Sequence, residues 1–114
     1  MQIINRSVSI QVIKKAAEAR FGQLVKAVVD AEKEIMVIDA EMHADEEIML
    51  LENGSKQENL WGINLYPEKF GQDDFVEFDS MINLRPRQNN LSRGVEDEKI
   101  REKIKQIVNK LVTT

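Results

Sequence analysis

The hydrophobic period changes along this 114-residue chain, and that change constrains the fold more than any other feature. Near both ends, apolar residues recur at three- and four-residue steps, which is the spacing of an amphipathic helix. The first such stretch begins at Ser9 and ends at Gly22. The last one carries a continuous apolar stripe: Ile100, Ile104, Ile107, Val108 and Leu111. The middle of the chain instead alternates at a step of two, so the sequence predicts a mixed α+β fold.

Strand patterns occur twice, each time as a pair. Residues 24–30 and 34–39 are short apolar runs joined by polar residues, which favours a hairpin. Residues 61–66 and 75–85 alternate apolar and polar side chains, which is typical of antiparallel strands with one buried and one solvated face. We therefore expect a second antiparallel pair, closed by the loop around Gly71.

A short helix between the two strand pairs is predicted from Asp45 to Gly54. Asp45 can cap this helix, and Ile48, Leu50 and Leu51 would point inward. The predicted order is α-β-β-α-β-β-α, in a single domain that spans residues 1–114. This order corresponds to an antiparallel sheet of about four strands with helices packed on one face.

The composition excludes several classes of protein. The chain has no cysteine, so thiolate metal sites and a disulfide-stapled secreted fold are excluded. No apolar run approaches the roughly 20 residues of a membrane span, so we expect a cytoplasmic protein with no membrane partner. The net charge of −4 argues against non-specific DNA binding, which depends on the neutralisation of phosphates.

Charge is distributed unevenly along the chain. Residues 1–29 carry five basic and one acidic residue, residues 30–79 carry three basic and fifteen acidic, and residues 80–114 carry eight basic and four acidic. Such asymmetry can mark a surface that binds a charged partner. Alternatively, the basic ends fold against the acidic middle, or all three regions are simply solvated.

A polar surface is expected where the second strand pair exposes its solvated side. Six polar side chains would stand together there: Asn64, Tyr66, Glu77, Asp79, Asn83 and Arg85. Asparagine is depleted in strands, so its repeated use here departs from the local preference. Such departures often mark functional sites. An ordinary solvated face, or one covered by a partner subunit, would show the same pattern.

The twelve residues 83–94, which we call the Arg/Asn segment, contain three Arg, three Asn, one Gln and one Ser, and no acidic residue. Arginine forks and neutral amide donors match the oxygens of a phosphate or carboxylate. The predicted anion-binding residues of this segment and the adjoining strands are Asn64, Tyr66, Asn83, Arg85, Gln88, Asn90 and Arg93. Alternatively, these groups cap strand ends and pair with the acidic middle. No phosphate-loop or dinucleotide fingerprint is present, so no cofactor is predicted.

His43 is the only histidine of the chain. A histidine beside carboxylates can act as a general base whose pKa its neighbours raise. His43 could instead join Asp45 and Glu47 on a metal ion, or bond to the backbone where the helix begins. A single histidine without cysteine is weak evidence for a metal, so no metal site is predicted.

Several segments together resemble a family of small uncharacterised prokaryotic proteins, classed as a domain of unknown function. They are His-Ala-Asp at 43–45, Gly-Ser-Lys-Gln at 54–57, Leu-Trp-Gly-Ile-Asn-Leu-Tyr-Pro at 60–67 and Asp-Ser-Met-Ile-Asn-Leu-Arg-Pro at 79–86, with Gln88, Asn90, Ser92 and Arg93. The family usually has glycine at the position of Asn89. The resemblance implies one domain in a prokaryotic cytoplasm, and it implies no activity, substrate or catalytic residue.

Three functions remain open from the sequence. The first is a non-enzymatic binding module for an anionic ligand, either a nucleotide or RNA. The second is a small hydrolase or ribonuclease that uses His43 with Asp45 or Asp79, and Arg85 to stabilise a charged transition state. This function requires His43 to lie near the polar face. The third is a structural homodimer or a partner-protein interaction domain.

Overall fold

A computed structural model describes residues 1–114 and contains three helices and seven strands. The helices are α1 (Ile10–Ala19), α2 (His43–Glu52) and α3 (Glu98–Leu111). The strands are β1 (Gln2–Ile4), β2 (Val8–Ser9), β3 (Val25–Asp30), β4 (Ile35–Ile38), β5 (Leu60–Leu65), β6 (Val76–Glu77) and β7 (Val112–Thr113). None of the three helices has the length and apolar character needed to span a membrane.

Five strands form one antiparallel sheet in the order β1-β4-β3-β5-β6. The central strand β3 pairs with β5 along its whole length. β2 and β7 form a separate parallel pair, with Val8 opposite Val112. The predicted α+β class and antiparallel sheet are thus confirmed. The additional strand is β1, whose three residues are too few to show a period in the sequence.

Helices cover both faces of the sheet. α1 and α3 pack on one face, over a core that includes Ala27, Val29 and Met36. α2 packs on the other face, where Leu50 meets Val28. The prediction that helices pack on one face therefore holds for α1 and α3 and is wrong for α2. The physical reason is that consecutive residues of β3 and β4 are buried, so these strands are apolar on both sides instead of alternating.

α2 begins at His43, two residues earlier than predicted, and it turns an unexpected face to the sheet. Its buried residues are His43, Glu46 and Leu50. Leu50 points inward as predicted, whereas Ile48 and Leu51, which were also predicted to point inward, are exposed. Two titratable side chains, His43 and Glu46, occupy the remaining buried positions, and hydrophobicity alone does not reveal them.

The strand predicted over residues 75–85 forms only in part. β6 adds two residue pairs to β5. Beyond it the chain enters a 3₁₀ turn at residues 81–83, where the Ser80 hydroxyl accepts a hydrogen bond from the Ile82 amide. Alternation of apolar and polar residues requires only an extended chain with one buried side, so it does not by itself specify a hydrogen-bonded strand.

The basic ends fold against the acidic middle. Six of the seven ion pairs join one of the ends to residues 30–79. Arg20 pairs with Asp39 at 2.8 Å, and Arg93 pairs with Asp79 at 2.7 Å. Solvent-exposed pairs of this kind contribute at most about 1 kcal/mol each, so they orient the ends rather than dominate stability.

Candidate functional site

The Arg/Asn segment lies along the outer edge of β5. Because β6 pairs only with the end of β5, the outward backbone groups of Gly62 have no strand beside them. The Asn83 side chain takes that place: its Oδ1 accepts from the Gly62 N–H at 2.8 Å, and its Nδ2 donates to the Gly62 carbonyl at 2.9 Å. Asn83 is fully buried and also donates to the Arg93 carbonyl.

Asn90 organises the second half of the segment. Its Nδ2 donates to the carbonyls of Asn83, Ser92 and Gly94, and its Oδ1 accepts from the Glu96 N–H at 2.9 Å. Only 3% of Asn90 is exposed. The carboxamide therefore ties together a stretch of chain that has almost no regular backbone pairing.

Arg85 is held by an aromatic ring and by backbone carbonyls. Its guanidinium carbon lies 4.1 Å from the centroid of the Trp61 ring, which is a cation–π contact. Its two terminal nitrogens donate to the carbonyls of Gln57 and Leu60. Arg85 is thus part of the packing between the segment and β5.

Four of the predicted anion-binding residues are engaged with the backbone in this way: Asn83, Arg85, Gln88 and Asn90. Gln88 contributes one bond, from its Nε2 to the Glu58 carbonyl at 3.0 Å. An anion could use these bound donors only by displacing main-chain acceptors. A ligand binds more readily where polar groups lack hydrogen-bond partners in the protein.

A cleft of about 220 Å³ opens between the start of α2, β5 and the chain after β6, and we call it the His43 cleft. Four predicted site residues, one lysine and one serine supply its polar lining: His43, Asn64, Asp79, Arg93, Lys26 and Ser80. Its rim carries two exposed methionines, Met42 and Met81, which we call the methionine rim. A wider depression along α3, of about 680 Å³, is lined almost entirely by Lys, Glu and Gln side chains of a solvated helix.

His43 is neutral in this cleft. Its Nε2 lies 2.8 Å from the Ile63 carbonyl, which can only accept, so Nε2 carries the proton and Nδ1 is left as an acceptor. Burial lowers the pKa of His43, although the bond to Ile63 opposes that shift. Asn64 and Asp79 likewise act to raise the pKa of His43, which indicates that both lie near the imidazole.

Asn64 presents a buried oxygen without a partner. Its Nδ2 donates to the Glu77 carboxylate at 2.9 Å and to the Asp79 carbonyl at 3.3 Å, and this fixes the orientation of the amide. The Oδ1 atom is enclosed and accepts no hydrogen bond, in a residue only 7% exposed. An unpaired buried acceptor of this kind costs about 1–3 kcal/mol.

Tyr66 lies beside the cleft rather than in it. Its hydroxyl donates to Glu77 at 3.0 Å, and burial, together with Glu77, raises the pKa of Tyr66. The Lys69 ammonium lies 5.3 Å from the centroid of the Tyr66 ring. Tyr66 therefore supports Glu77, which in turn holds Asn64.

Two cationic side chains of the cleft retain free donors. The Nε of Arg93 binds Asp79 at 2.7 Å, which leaves the two terminal nitrogens of the guanidinium unbound. The Lys26 ammonium makes no ion pair and lies 5.1 Å from the centroid of the Phe21 ring. Asp79 is the only carboxylate of the lining, so the lining carries a net positive charge.

Two titratable residues near the cleft were missed by the sequence reasoning. Lys26 lies within an apolar strand and was not considered for the site. Glu46 was not considered for the site either, and it is fully buried. Burial raises the pKa of Glu46 to about 9, so it is protonated at neutral pH. Its spacing of three residues from His43 was the one available signal that both share a helix face.

A family model described as a protein of unknown function, DUF5674, matches residues 2–111. The chain belongs to the DUF5674 family. Membership confirms the resemblance to an uncharacterised family and brings no activity with it. Comparison with curated proteins and with solved structures found no significant match.

In this DUF5674 chain, the predicted site residues fall into two groups. His43, Asn64, Asp79 and Arg93 come together in one cleft. The others serve the backbone of the Arg/Asn segment or, for Tyr66, support the cleft from outside. Asp45 does not line the cleft, and no group of three or more His, Asp or Glu side chains is arranged to hold a metal ion.

Proposed function

We propose that this chain is a cytoplasmic, non-enzymatic binding module for an anionic ligand, a nucleotide or RNA, and that the His43 cleft holds the anionic group. The observation that carries this proposal is that two cationic side chains of one cleft, Arg93 and Lys26, keep donors that no group of the protein binds. A bound anion would supply the acceptors for these donors. The absence of cysteine is in keeping with a reducing compartment.

The anion would bind through Arg93 and Lys26. Asp79 holds the Nε of Arg93 and so orients the guanidinium, whose terminal nitrogens can bind two oxygens at once. Lys26 adds a charge from the neighbouring side of the cleft, where no carboxylate is bonded to it. The anion-binding role thus moves from Arg85, whose terminal nitrogens donate to backbone carbonyls and whose Nε is enclosed, to Arg93.

The experiment is a titration followed by NMR, with the single imidazole of His43 as the probe inside the cleft. Adenosine monophosphate and inorganic phosphate are added at low and moderate salt. We expect saturable shifts of the His43 signals, and an affinity that Arg93→Gln and Lys26→Gln each lower by about tenfold, the value of one charge-assisted contact. Higher salt should weaken binding because the site is partly exposed.

A matched control is Arg87→Gln, which removes the same charge from an exposed position of the same segment. This variant should bind like the unmodified chain. Absence of any His43 shift with either anion, or equal affinities of the Arg93 and Arg87 variants, would overturn the proposal.

A second candidate function is a small hydrolase or ribonuclease, and one observation favours it. His43 lies on the polar face with Asp79, as that function requires, and its neutral Nδ1 can accept a proton. Arg93, not Arg85, would then stabilise the charged transition state. Incubation with an RNA oligomer tests it: cleavage that His43→Ala abolishes and Arg87→Gln leaves intact would replace the non-enzymatic proposal.

A further inference from the structure

One hydrogen-bond acceptor of the His43 cleft has no donor in the protein. It is the Nδ1 of neutral His43, whose Nε2 donates to the Ile63 carbonyl. A fully ionised phosphate group carries only acceptors and cannot satisfy this atom. A ligand that satisfies it carries a hydroxyl or amine donor close to its anionic group.

The size of the cleft restricts the ligand further. Its volume of about 220 Å³ lies below the roughly 300–1,000 Å³ of pockets that enclose a whole small molecule. It can accommodate a sugar and its phosphate, while the rest of the ligand remains outside. Whatever extends from the cleft must pass over its rim.

The rim is apolar on two sides. Met42 and Met81 both line the cleft and are 58% and 62% exposed. Methionine side chains are flexible and make favourable contacts with aromatic rings. A planar base attached to the sugar would cover these otherwise solvated side chains.

The charge of the chain favours a single nucleotide over a polymer as the ligand. The chain has a net charge of −4, and residues 30–79 carry fifteen acidic residues, so a long polyanion is repelled over much of the surface. The two cationic groups of the cleft match one phosphate. A mononucleotide is therefore favoured over an RNA strand, whose affinity would require a longer basic track.

We propose that the ligand is a ribonucleoside monophosphate, an inference that rests on the anion-binding function proposed above. Its phosphate lies against Arg93 and Lys26. A ribose hydroxyl donates to the Nδ1 of His43, and the base packs on the methionine rim.

The test is the same His43 titration of the full chain with five probes. They are adenosine monophosphate, its 2′,3′-dideoxy analogue, ribose 5-phosphate, inorganic phosphate and a ten-nucleotide RNA. Adenosine monophosphate should bind about tenfold more tightly than the dideoxy analogue, because the analogue leaves the Nδ1 of His43 without a donor. It should also bind about fivefold more tightly than ribose 5-phosphate, which has no ring to stack on the rim.

A variant of the rim isolates the contact with the base. Met81→Gln should lower the affinity for adenosine monophosphate and leave the affinity for ribose 5-phosphate unchanged. Leu91→Gln is the matched control, since Leu91 is 67% exposed and lies outside the cleft, and it should change neither affinity.

Each other outcome is decisive. Equal affinities for adenosine monophosphate and its dideoxy analogue, or for adenosine monophosphate and ribose 5-phosphate, overturn the ribonucleotide inference and leave the anion site standing. An RNA decamer that binds more tightly than the mononucleotide overturns it in favour of RNA. If no anion shifts the His43 signals, the proposed function fails as well.

Discussion

The carboxamide of Asn83 pairs with the backbone of Gly62 through two hydrogen bonds, of 2.8 and 2.9 Å. A side-chain amide has the same donor and acceptor as a peptide group, so Asn83 gives β5 at this point what a neighbouring strand would give. These two hydrogen bonds hold the Arg/Asn segment against the sheet, and Arg93 near the end of the segment lines the His43 cleft together with Asp79.

Removal of the Asn83 amide should destabilise the fold strongly. Asn83→Ala leaves the N–H and the carbonyl of Gly62 buried and unpaired, and we expect a loss of about 3 kcal/mol in the free energy of unfolding. Urea denaturation followed by circular dichroism measures it. Gln88→Ala, which removes a single bond at an exposed residue, should cost less than about 0.5 kcal/mol. Equal losses in both variants would contradict the strand-like role of Asn83.

Gly62 is needed because the chain after β6 passes very close to β5. A Cβ at residue 62 would lie 2.5 Å from the Cβ of Ser80. Gly62→Ala should therefore destabilise the protein by about 1–3 kcal/mol, the usual cost of overpacking. The cost should fall in a Ser80→Gly background, because the atom that clashes has been removed. Additive losses in the double variant would show that the two sites do not meet.

The sequence predicted well the elements that depend on local pattern. α1, α3 and the β3–β4 hairpin follow from periodicity, turn residues and caps: Ser9 and Asp97 each accept a hydrogen bond from an amide of the first helical turn. Asn89 has a left-handed φ of 57°, which asparagine tolerates and glycine adopts freely. A glycine at this position would keep the same turn.

The site could be predicted only in part because its contacts are not local. The pattern grouped Asn64 with Asp79 correctly, since these lie near paired strands. It could not show that Arg85 would stack on Trp61, or that Asn83 would bond to the backbone. The burial of Glu46 was hidden for the same reason, because the face that a helix buries depends on the sheet it meets.

Arg85 should matter for stability rather than for ligand affinity. Arg85→Lys keeps the charge but lacks the planar fork that reaches the carbonyls of Gln57 and Leu60. We expect a loss of about 2 kcal/mol in the free energy of unfolding. The fluorescence of Trp61 should change, because the stacked cation is displaced. Arg87→Lys is the control and should change neither the free energy of unfolding nor the fluorescence of Trp61. If Arg85→Lys also changed neither quantity, Arg85 would not stack on Trp61 as described.

The imidazole of His43 should titrate below its ordinary range. Because burial lowers the pKa of His43, NMR of the folded chain should give a midpoint below 6.5. The unfolded chain binds the proton more readily, so this contribution to stability is present above pH 6.5 and is lost as the pH falls through the folded pKa. The same signal in concentrated urea is the reference. A folded midpoint at or above the urea value would be inconsistent with a neutral ring in the cleft.

Glu46 should make the protein less stable as the pH rises. Its folded pKa of about 9 lies above the ordinary value of 4.5, so between these limits the unfolded chain has released a proton that the folded chain retains. The contribution of this group is fully present below pH 4.5 and is lost as the pH rises to about 9, at about 1.4 kcal/mol per pH unit. Glu46→Gln removes the ionisable proton of this side chain and keeps the shape of the side chain. Urea denaturation from pH 5 to 9 should therefore show that the stability of the Gln variant rises relative to that of the unmodified chain with each pH unit. Glu52→Gln, which changes an exposed carboxyl of the same helix, is the control, and its difference in stability from the unmodified chain should be the same at every pH. If the stability of Glu46→Gln also differed from that of the unmodified chain by a constant amount, Glu46 would already be ionised in the folded protein.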